Sequence, residues 1–333
     1  MIGKYAVALV GAGGIGKRWV KALSSMGEVN LLAVLDTDGD KARELAGVYG
    51  PACQAYTDYE ELLKRTDIDI VIAATPHKYL ASISRAALSA GKHVMSEKPC
   101  AVSSTELFDL LNFAQARNLR YMAGFNHRFH EGFLLARKLF TEGKIGDIQF
   151  IRAVYGFGAR KGMNTEWRMN KEWAGGGELI DQGVHMVDMV ISFFGEIAEV
   201  KGFVENLHWT AQVEDNAFLL LKSKKKQLAS IHVSWSNWKP LHRFEIYGSF
   251  GYIHVEGLGR KYGGTEKVIF GIRDETYSAL PREEIFECNP DAELSFVREM
   301  RELLLAIEEG RDPVPSGKDA LSVLKIVEQI YEG

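Results

Sequence analysis

Cysteine is scarce in this sequence: three residues in 333, Cys53, Cys100 and Cys288, far apart and with no CxxC pair. That excludes a disulfide framework and the usual cysteine-based zinc sites, and no metal-ligating set is expected. An odd number of isolated thiols suits a reducing, cytoplasmic setting. Long apolar runs are missing as well. None reaches about 18 uninterrupted residues, so no membrane-spanning helix is expected. Charge of one sign is not in excess either, since 40 basic against 44 acidic residues leave a formal net charge of −4. So small an imbalance gives no hold on a polyanion, and no nucleic-acid partner is expected. The basic run Lys224-Lys225-Lys226 is short enough to be a solvated turn between two strands. Repeats and low-complexity segments are lacking. What remains is 46% hydrophobic and 25% charged, the balance of a soluble globular chain, with length for about two domains.

The first part alternates short apolar runs with helical periodicity. Strands are expected at Tyr5–Val10, Asn30–Leu35, Ile68–Ala74, His93–Ser96 and Leu119–Gly124. Helices are expected at 15–26, 39–48, Leu80–Ala90 and Ser103–Arg117. The opening MIGKYAVALVGAGGIG leads into glycines and a helix, so it reads as a first strand rather than a signal peptide. Strand–helix alternation predicts a parallel sheet with right-handed crossovers. After about residue 125 the pattern changes. A helix near 130–141 and a strand at Gln149–Gly156 precede a glycine block, Gly175-Gly176-Gly177, and a helical run to Phe194. From Val200 to Val255 the signal is mostly β: Phe218–Lys222, Leu228–Trp235, Arg243–Tyr247 and Tyr252–Val255. Helices return at 292–309 and 318–331, separated by Pro313 and Pro315. The fold expected is an α/β Rossmann domain over 1–124 plus an α+β domain over 125–333. The latter has an open, mainly antiparallel sheet, and its C-terminal helix is expected to pack back on the first domain.

Residues Gly11 to Gly16 spell G-x-G-x-x-G, which alone is weak, but it follows the first strand and opens the first helix. There Gly11 allows the tight turn, Gly13 lets the backbone approach a pyrophosphate, and Gly16 lets helix pack on strand. Gly14 and Ile15 belong to the same cradle, whose helix N-terminus offers free N–H groups and partial positive charge. Asp36 ends the second strand 20 residues after Gly16, the spacing for a carboxylate on the adenosine ribose. Such a carboxylate repels a 2′-phosphate, and neighbouring Thr37 adds no cation, so NAD is favoured over NADP.

Three further segments stand out: Ala74-Thr75-Pro76, Glu97-Lys98-Pro99, and the block Gly175-Gly176-Gly177-Glu178-Leu179-Ile180-Asp181-Gln182-Gly183-Val184-His185. With the glycine fingerprint they make the chain resemble, over nearly its whole length, the glucose–fructose oxidoreductase/inositol dehydrogenase (Gfo/Idh/MocA) family. The resemblance implies cofactor contacts at Thr75, Pro76, Glu97 and Lys98, and active-site roles for Lys98, Asp181 and His185. One departure is clear. Where many relatives carry a histidine three residues into the helix after the T-P turn, this chain has Leu80. His77, just before it, is either a substitute or a solvated loop residue. His93 reads as structural.

The residues agree with that chemistry. Lys98 follows a parallel strand, at the edge where α/β ligands bind, and the Lys98–Pro99 bond is a candidate for cis. Asp181 and His185 are four apart, on one helix face. Oxidising an alcohol needs a group that takes the hydroxyl proton, and imidazole suits this near neutral pH. The sequence leaves the base open between Lys98 and His185. Lysine needs a large downward pKa shift for that role, so His185 is expected as base, with Lys98 beside the reacting hydroxyl. Asn126 and Arg128 are candidate substrate contacts, against an interdomain hydrogen-bond cluster as the alternative. Trp167 and Arg168 are candidates too, since the guanidinium fork suits carboxylate or phosphate. Trp235 and Trp238 are either sugar-stacking or packing residues.

The function expected is hydride transfer between NAD and a secondary alcohol carbon of a sugar, sugar nucleotide or polyol. Alternatives are an enzyme of the same family that recycles its NAD within one turnover, as a glycosidase or a dismutating oxidoreductase, and a non-catalytic NAD-bound regulator. A homodimer or homotetramer is expected, joined through an open apolar sheet face that includes Trp235.

Overall fold

The computed structural model describes residues 5–276, 278–289 and 291–333. The chain begins with β1 (Tyr5–Val10), α1 (Gly14–Ser24), β2 (Val29–Leu35), α2 (Gly39–Tyr49), β3 (Gln54–Tyr56), α3 (Tyr59–Leu63), β4 (Ile70–Ala73), α4 (His77–Ser89), β5 (His93–Glu97), α5 (Ser104–Ala116) and β6 (Tyr121–Gly124). A 3₁₀ turn, Asn126–Phe129, leads to α6 (Glu131–Thr141), β7 (Ile148–Gly156) and α7 (Lys171–Ala174). One π-helical turn, Leu179–Gly183, then runs into α8 (Val184–Phe194). Seven strands follow: β8 (Ile197–Glu205), β9 (Asn216–Ser223), β10 (Leu228–Ser234), β11 (Leu241–Gly248), β12 (Gly251–Leu258), β13 (Tyr262–Ile272) and β14 (Arg282–Glu287). The chain closes with α9 (Glu293–Glu309) and α10 (Gly317–Glu332).

The described residues divide into two compact units: 5–126 with 293–322, and those of 127–292 with 323–333. The first unit is a six-stranded parallel sheet in the order β3-β2-β1-β4-β5-β6. The inner strand β4 and the edge strand β6 are apolar and buried at every residue, as expected of a parallel sheet covered by helices. Ser103 caps α5 by accepting the Glu106 N–H, as the S-x-x-E spacing specifies. Helix α9 packs on α1, with the Trp19 ring edge-on to Phe296 at 4.9 Å. The sequence reading left β3 and α3 unassigned; β3 is three residues long and largely exposed, too little for a periodic signal.

In the second unit eight strands form one sheet, ordered β14-β13-β12-β11-β7-β10-β9-β8 and antiparallel except for β7 beside β10. Helix α8 packs on β7 and β10, and α6 on β12 and β13. In β9, Ala217, Leu219 and Leu221 are buried, whereas Phe218 and Leu220 on the opposite face are 51% and 62% exposed. That second face holds a groove of about 1000 Å³ lined by Phe203, Phe218, Leu220 and His232. Trp235 is not part of it: the ring is fully buried, which corrects the expectation placing it on the open face. Trp238 is 64% exposed. The lysine run 224–226 is an exposed turn between β9 and β10. Strands β13 and β14 lay beyond the β segments expected from sequence. The outermost, β14, is charged and exposed, so it lacks an apolar face to announce it.

Candidate functional site

Within the first unit the glycine turn sits where β1 and β4 end side by side. Gly11 has φ +109°, and a Cβ there would lie 2.3 Å from the Ala74 carbonyl oxygen. A Cβ at Gly16 would lie 2.1 Å from the Gly11 carbonyl oxygen, so helix and strand close only on glycine. Gly13 and Gly14, by contrast, have nothing within 4 Å of a Cβ position. The backbone there is open to an incoming group. Gly13 offers no side chain to cap α1, and the first intrahelical bond is Lys17 N–H to the Gly13 carbonyl. The leading N–H groups, those of Gly14 and Ile15 included, are left without intrahelical acceptors, as at any helix start. A pyrophosphate fits this cradle.

Asp36 is bound into the same turn. Its Oδ2 accepts the Ala12 N–H at 2.8 Å and its Oδ1 the Asp38 N–H at 2.9 Å, with exposed Thr37 between. Each oxygen retains a lone pair for a ribose hydroxyl. Thr75 and Pro76 follow β4 and lead into α4. His77 is the first residue of α4 and is buried, so it is not a solvated loop histidine; Leu80 is fully buried core. His93 is structural, accepting the Arg120 N–H at its Nδ1.

Lys98 follows β5, on the same carboxyl edge, and the Lys98–Pro99 bond is cis. Glu97 accepts the Trp19 indole N–H at 2.9 Å. Burial pushes the Glu97 carboxyl above its ordinary range, against the lowering influence of that bond and of the Lys98 charge. Asn126 donates to the Ser295 hydroxyl at 3.2 Å, within the first unit.

The second unit places its candidates around the start of α8. Asp181 stands in the π turn and His185 in the first turn of α8, each nearly fully buried. The expected plain α-helix is thus widened by one π turn, a local irregularity common at functional sites. Arg168 donates from Nε to Asp181 Oδ2 at 3.0 Å and lies over the Trp167 ring at 4.4 Å. Arg128 forms a two-pronged pair with fully buried Asp188, at 2.8 and 2.5 Å. Its fork holds the 3₁₀ turn to α8. Tyr155 and Tyr262 meet edge-on at 4.9 Å. Burial pushes both hydroxyls up, helped by the charges of Glu178 and Asp181.

Glu214 is the residue that sequence reasoning missed. Its carboxylate accepts the Gly177 and Leu179 N–H groups, at 2.9 and 3.1 Å, and the Tyr331 hydroxyl at 2.7 Å. It thereby holds the segment that presents Asp181. The glycine block now has its reason. A Cβ at Gly177 would sit 1.9 Å from the Glu214 carbonyl oxygen, and one at Gly176 would sit 2.1 Å from the Tyr331 hydroxyl. Only the glycines themselves hinted at this close approach, because their partners are remote in sequence.

A doubly wound parallel unit with a pyrophosphate cradle, followed by an open-sheet unit carrying a buried Asp/His pair, defines a nicotinamide-dependent oxidoreductase. The signature described as an oxidoreductase family with an NAD-binding Rossmann fold matches residues 5–125. That of the GFO/IDH/MocA C-terminal domain matches residues 133–254. The chain belongs to the Gfo/Idh/MocA family. It is 33% identical to trans-1,2-dihydrobenzene-1,2-diol dehydrogenase of Xenopus laevis over 65% of this chain, a match spanning 64% of that protein. It is 26% identical to inositol 2-dehydrogenase of Rhizobium meliloti, covering 96% of this chain and 94% of that one. In fold it is similar to levoglucosan dehydrogenase solved in complex with NADH, with a TM-score of 0.89 at 23% identity, covering 99% and 97% of the two chains. No helix among the described residues is long and apolar enough to cross a membrane.

Proposed function

We propose that this protein oxidises a secondary alcohol carbon of a sugar, sugar nucleotide or polyol, with NAD as hydride acceptor. The observation that carries the reading is the shared carboxyl edge of one parallel sheet: the glycine cradle after β1, Thr75-Pro76 after β4 and Lys98 after β5. The names of the relatives, dehydrogenases of an inositol and of a cyclic diol, support the substrate class. NAD over NADP is supported by Asp36 and by its surroundings. The nearest cations, Lys41 and Arg43, pair with Asp38 and Asp40 at 3.1 and 2.5 Å rather than standing ready for a 2′-phosphate.

The nicotinamide, when bound, supplies the hydride acceptor. Gly13, Gly14 and Ile15 hold the pyrophosphate through backbone N–H groups, and Asp36 holds the ribose. Lys98 stabilises negative charge developing on the substrate oxygen. An imidazole nitrogen of His185 takes the hydroxyl proton, since imidazole accepts protons near neutral pH without a large shift. Asp181 and Arg168, already paired, orient the substrate. Phe218 and Leu220 on the open sheet face support assembly as a homodimer or homotetramer. Three buried free cysteines suit a cytoplasmic setting.

Incubation with NAD and a panel of free aldoses, inositols, sugar acids and sugar nucleotides, followed at the NADH absorbance, tests the reading. Steady NADH accumulation is expected. Turnover without accumulation would point instead to a recycled cofactor, and the absence of turnover on the whole panel to a regulator.

A further inference from the structure

The imidazole of His127 lies flat against that of His185, with ring centroids 3.9 Å apart and planes 8° from parallel. The rings come from different segments, His127 from the 3₁₀ turn after β6 and His185 from the first turn of α8. Both are more than nine-tenths buried. The surroundings of His127 form a cage of rings. Tyr155 of β7 stands edge-on at 5.4 Å, His242 of β11 at 5.8 Å and His130 at 5.7 Å. His130 in turn bonds the Glu266 carboxylate of β13 at 2.9 Å. On the π turn before α8, Asp181 is paired with Arg168, and further along α8 Asp188 is paired with Arg128.

We propose that His127 is a positioning residue for His185: the stack sets the plane of the His185 ring and holds the two imidazoles to one proton between them. This rests on the reading of His185 as the proton acceptor. A face-to-face neighbour at 3.9 Å blocks rotation of the His185 ring out of its plane, so its nitrogens keep one direction. Two imidazolium charges at that separation repel, so the second proton binds at far lower pH than the first, and the pair titrates as a unit. His185 therefore accepts another group's proton while His127 is neutral, and that proton is then the only one the pair carries. Two ring neighbours of the stack do not titrate in this range. Burial pushes the Tyr155 hydroxyl well above its ordinary value and the His242 imidazole down to about 3, so both stay neutral through the working range. Glu266, held below its ordinary range despite burial by its bond to His130, stays ionised there.

Two variants separate the parts of this role. His127→Phe keeps a flat ring and removes the proton site, while His127→Leu removes both. The first readout, independent of turnover, is NMR titration of the histidine Cε1–H signals. The wild-type His185 signal is expected to move in two steps, with part of its change deferred to low pH, and His127→Phe to collapse them into one full step. The acid limb of kcat/KM should then move to lower pH in His127→Phe, because His127 no longer competes for the pair's one proton. His127→Leu should also lower kcat by about tenfold or more through misorientation, with substrate KM little changed. A single full titration step for His185 in wild type, unchanged in His127→Phe, overturns the proposal, as does wild-type kcat in a folded His127→Leu protein. His185→Ala serves as the control on the underlying reading. Retained turnover in that variant overturns the assignment of His185 as acceptor, whatever the NMR titration shows.

Discussion

Asp36 Oδ2 accepts the Ala12 N–H at 2.8 Å, so the acid at the end of β2 is fastened to the glycine turn that follows β1. One carboxylate thus shapes the glycine turn and, on the function proposed above, would also hold the ribose. Its replacement should be felt at both.

Asp36→Ala should weaken NADH binding by about tenfold or more, since a good charge-assisted bond contributes about 1.5–3 kcal/mol. NADPH should lose less, so the preference between the two narrows. Fluorescence titration with each dinucleotide reads this directly, and equal affinities in the wild type would sink the NAD assignment.

His185→Ala should lower kcat by about 10²–10⁴ with NADH affinity nearly unchanged. Lys98→Met should be at least as damaging, because charge stabilisation and orientation go together. Steady-state kinetics on the substrate found in the panel, with NADH binding measured separately, checks both. A near-wild-type kcat in His185→Ala removes the imidazole from the role of base.

Gly177→Ala should destabilise the second unit, because its Cβ would meet the Glu214 carbonyl oxygen at 1.9 Å. Forced overpacking of this kind costs about 1–3 kcal/mol. Thermal unfolding should show a lower Tm and kcat should fall, as the segment bearing Asp181 shifts. An unchanged Tm would mean that the backbone yields there at no cost.

Acid should destabilise the protein through His242. Burial lowers this imidazole from 6.5 to about 3, so between those values the unfolded chain binds the proton and the folded chain does not. The stability present above pH 6.5 is therefore lost progressively as pH falls toward 3. At pH 4 the loss is about 3 kcal/mol, at roughly 1.4 kcal/mol per pKa unit. His242→Phe should flatten the dependence of denaturant-unfolding stability on pH across this window. A variant that keeps the wild-type slope places the acid sensitivity elsewhere.

The open sheet face should join copies of the chain. A double change, Phe218→Glu with Leu220→Glu, leaves the buried face of β9 intact and should convert the assembly to monomer in light-scattering chromatography at micromolar concentration. A wild-type monomer under those conditions contradicts the assembly reading.

Local chemistry makes much of this legible in the sequence itself. The glycine fingerprint, Asp36 and the strand–helix alternation are short-range patterns, each written by sterics within a few dozen residues. Their places in the structure follow from those patterns. Lys98 was readable for the same reason, as the residue after a buried parallel strand. What the tertiary structure decided involves partners remote in the chain. Arg128 faces Asp188, 60 residues on, so its fork braces the 3₁₀ turn against α8. Glu214 and Tyr331 converge on Gly176 and Gly177 only because β9 and α10 bring them there. The edge strand β14, lacking an apolar face, pairs only because β13 is beside it. His127 and His185, 58 positions apart in sequence, stack because the turn after β6 and the start of α8 pack together. No periodicity records a contact of that kind, since it depends on where two independent segments meet in space.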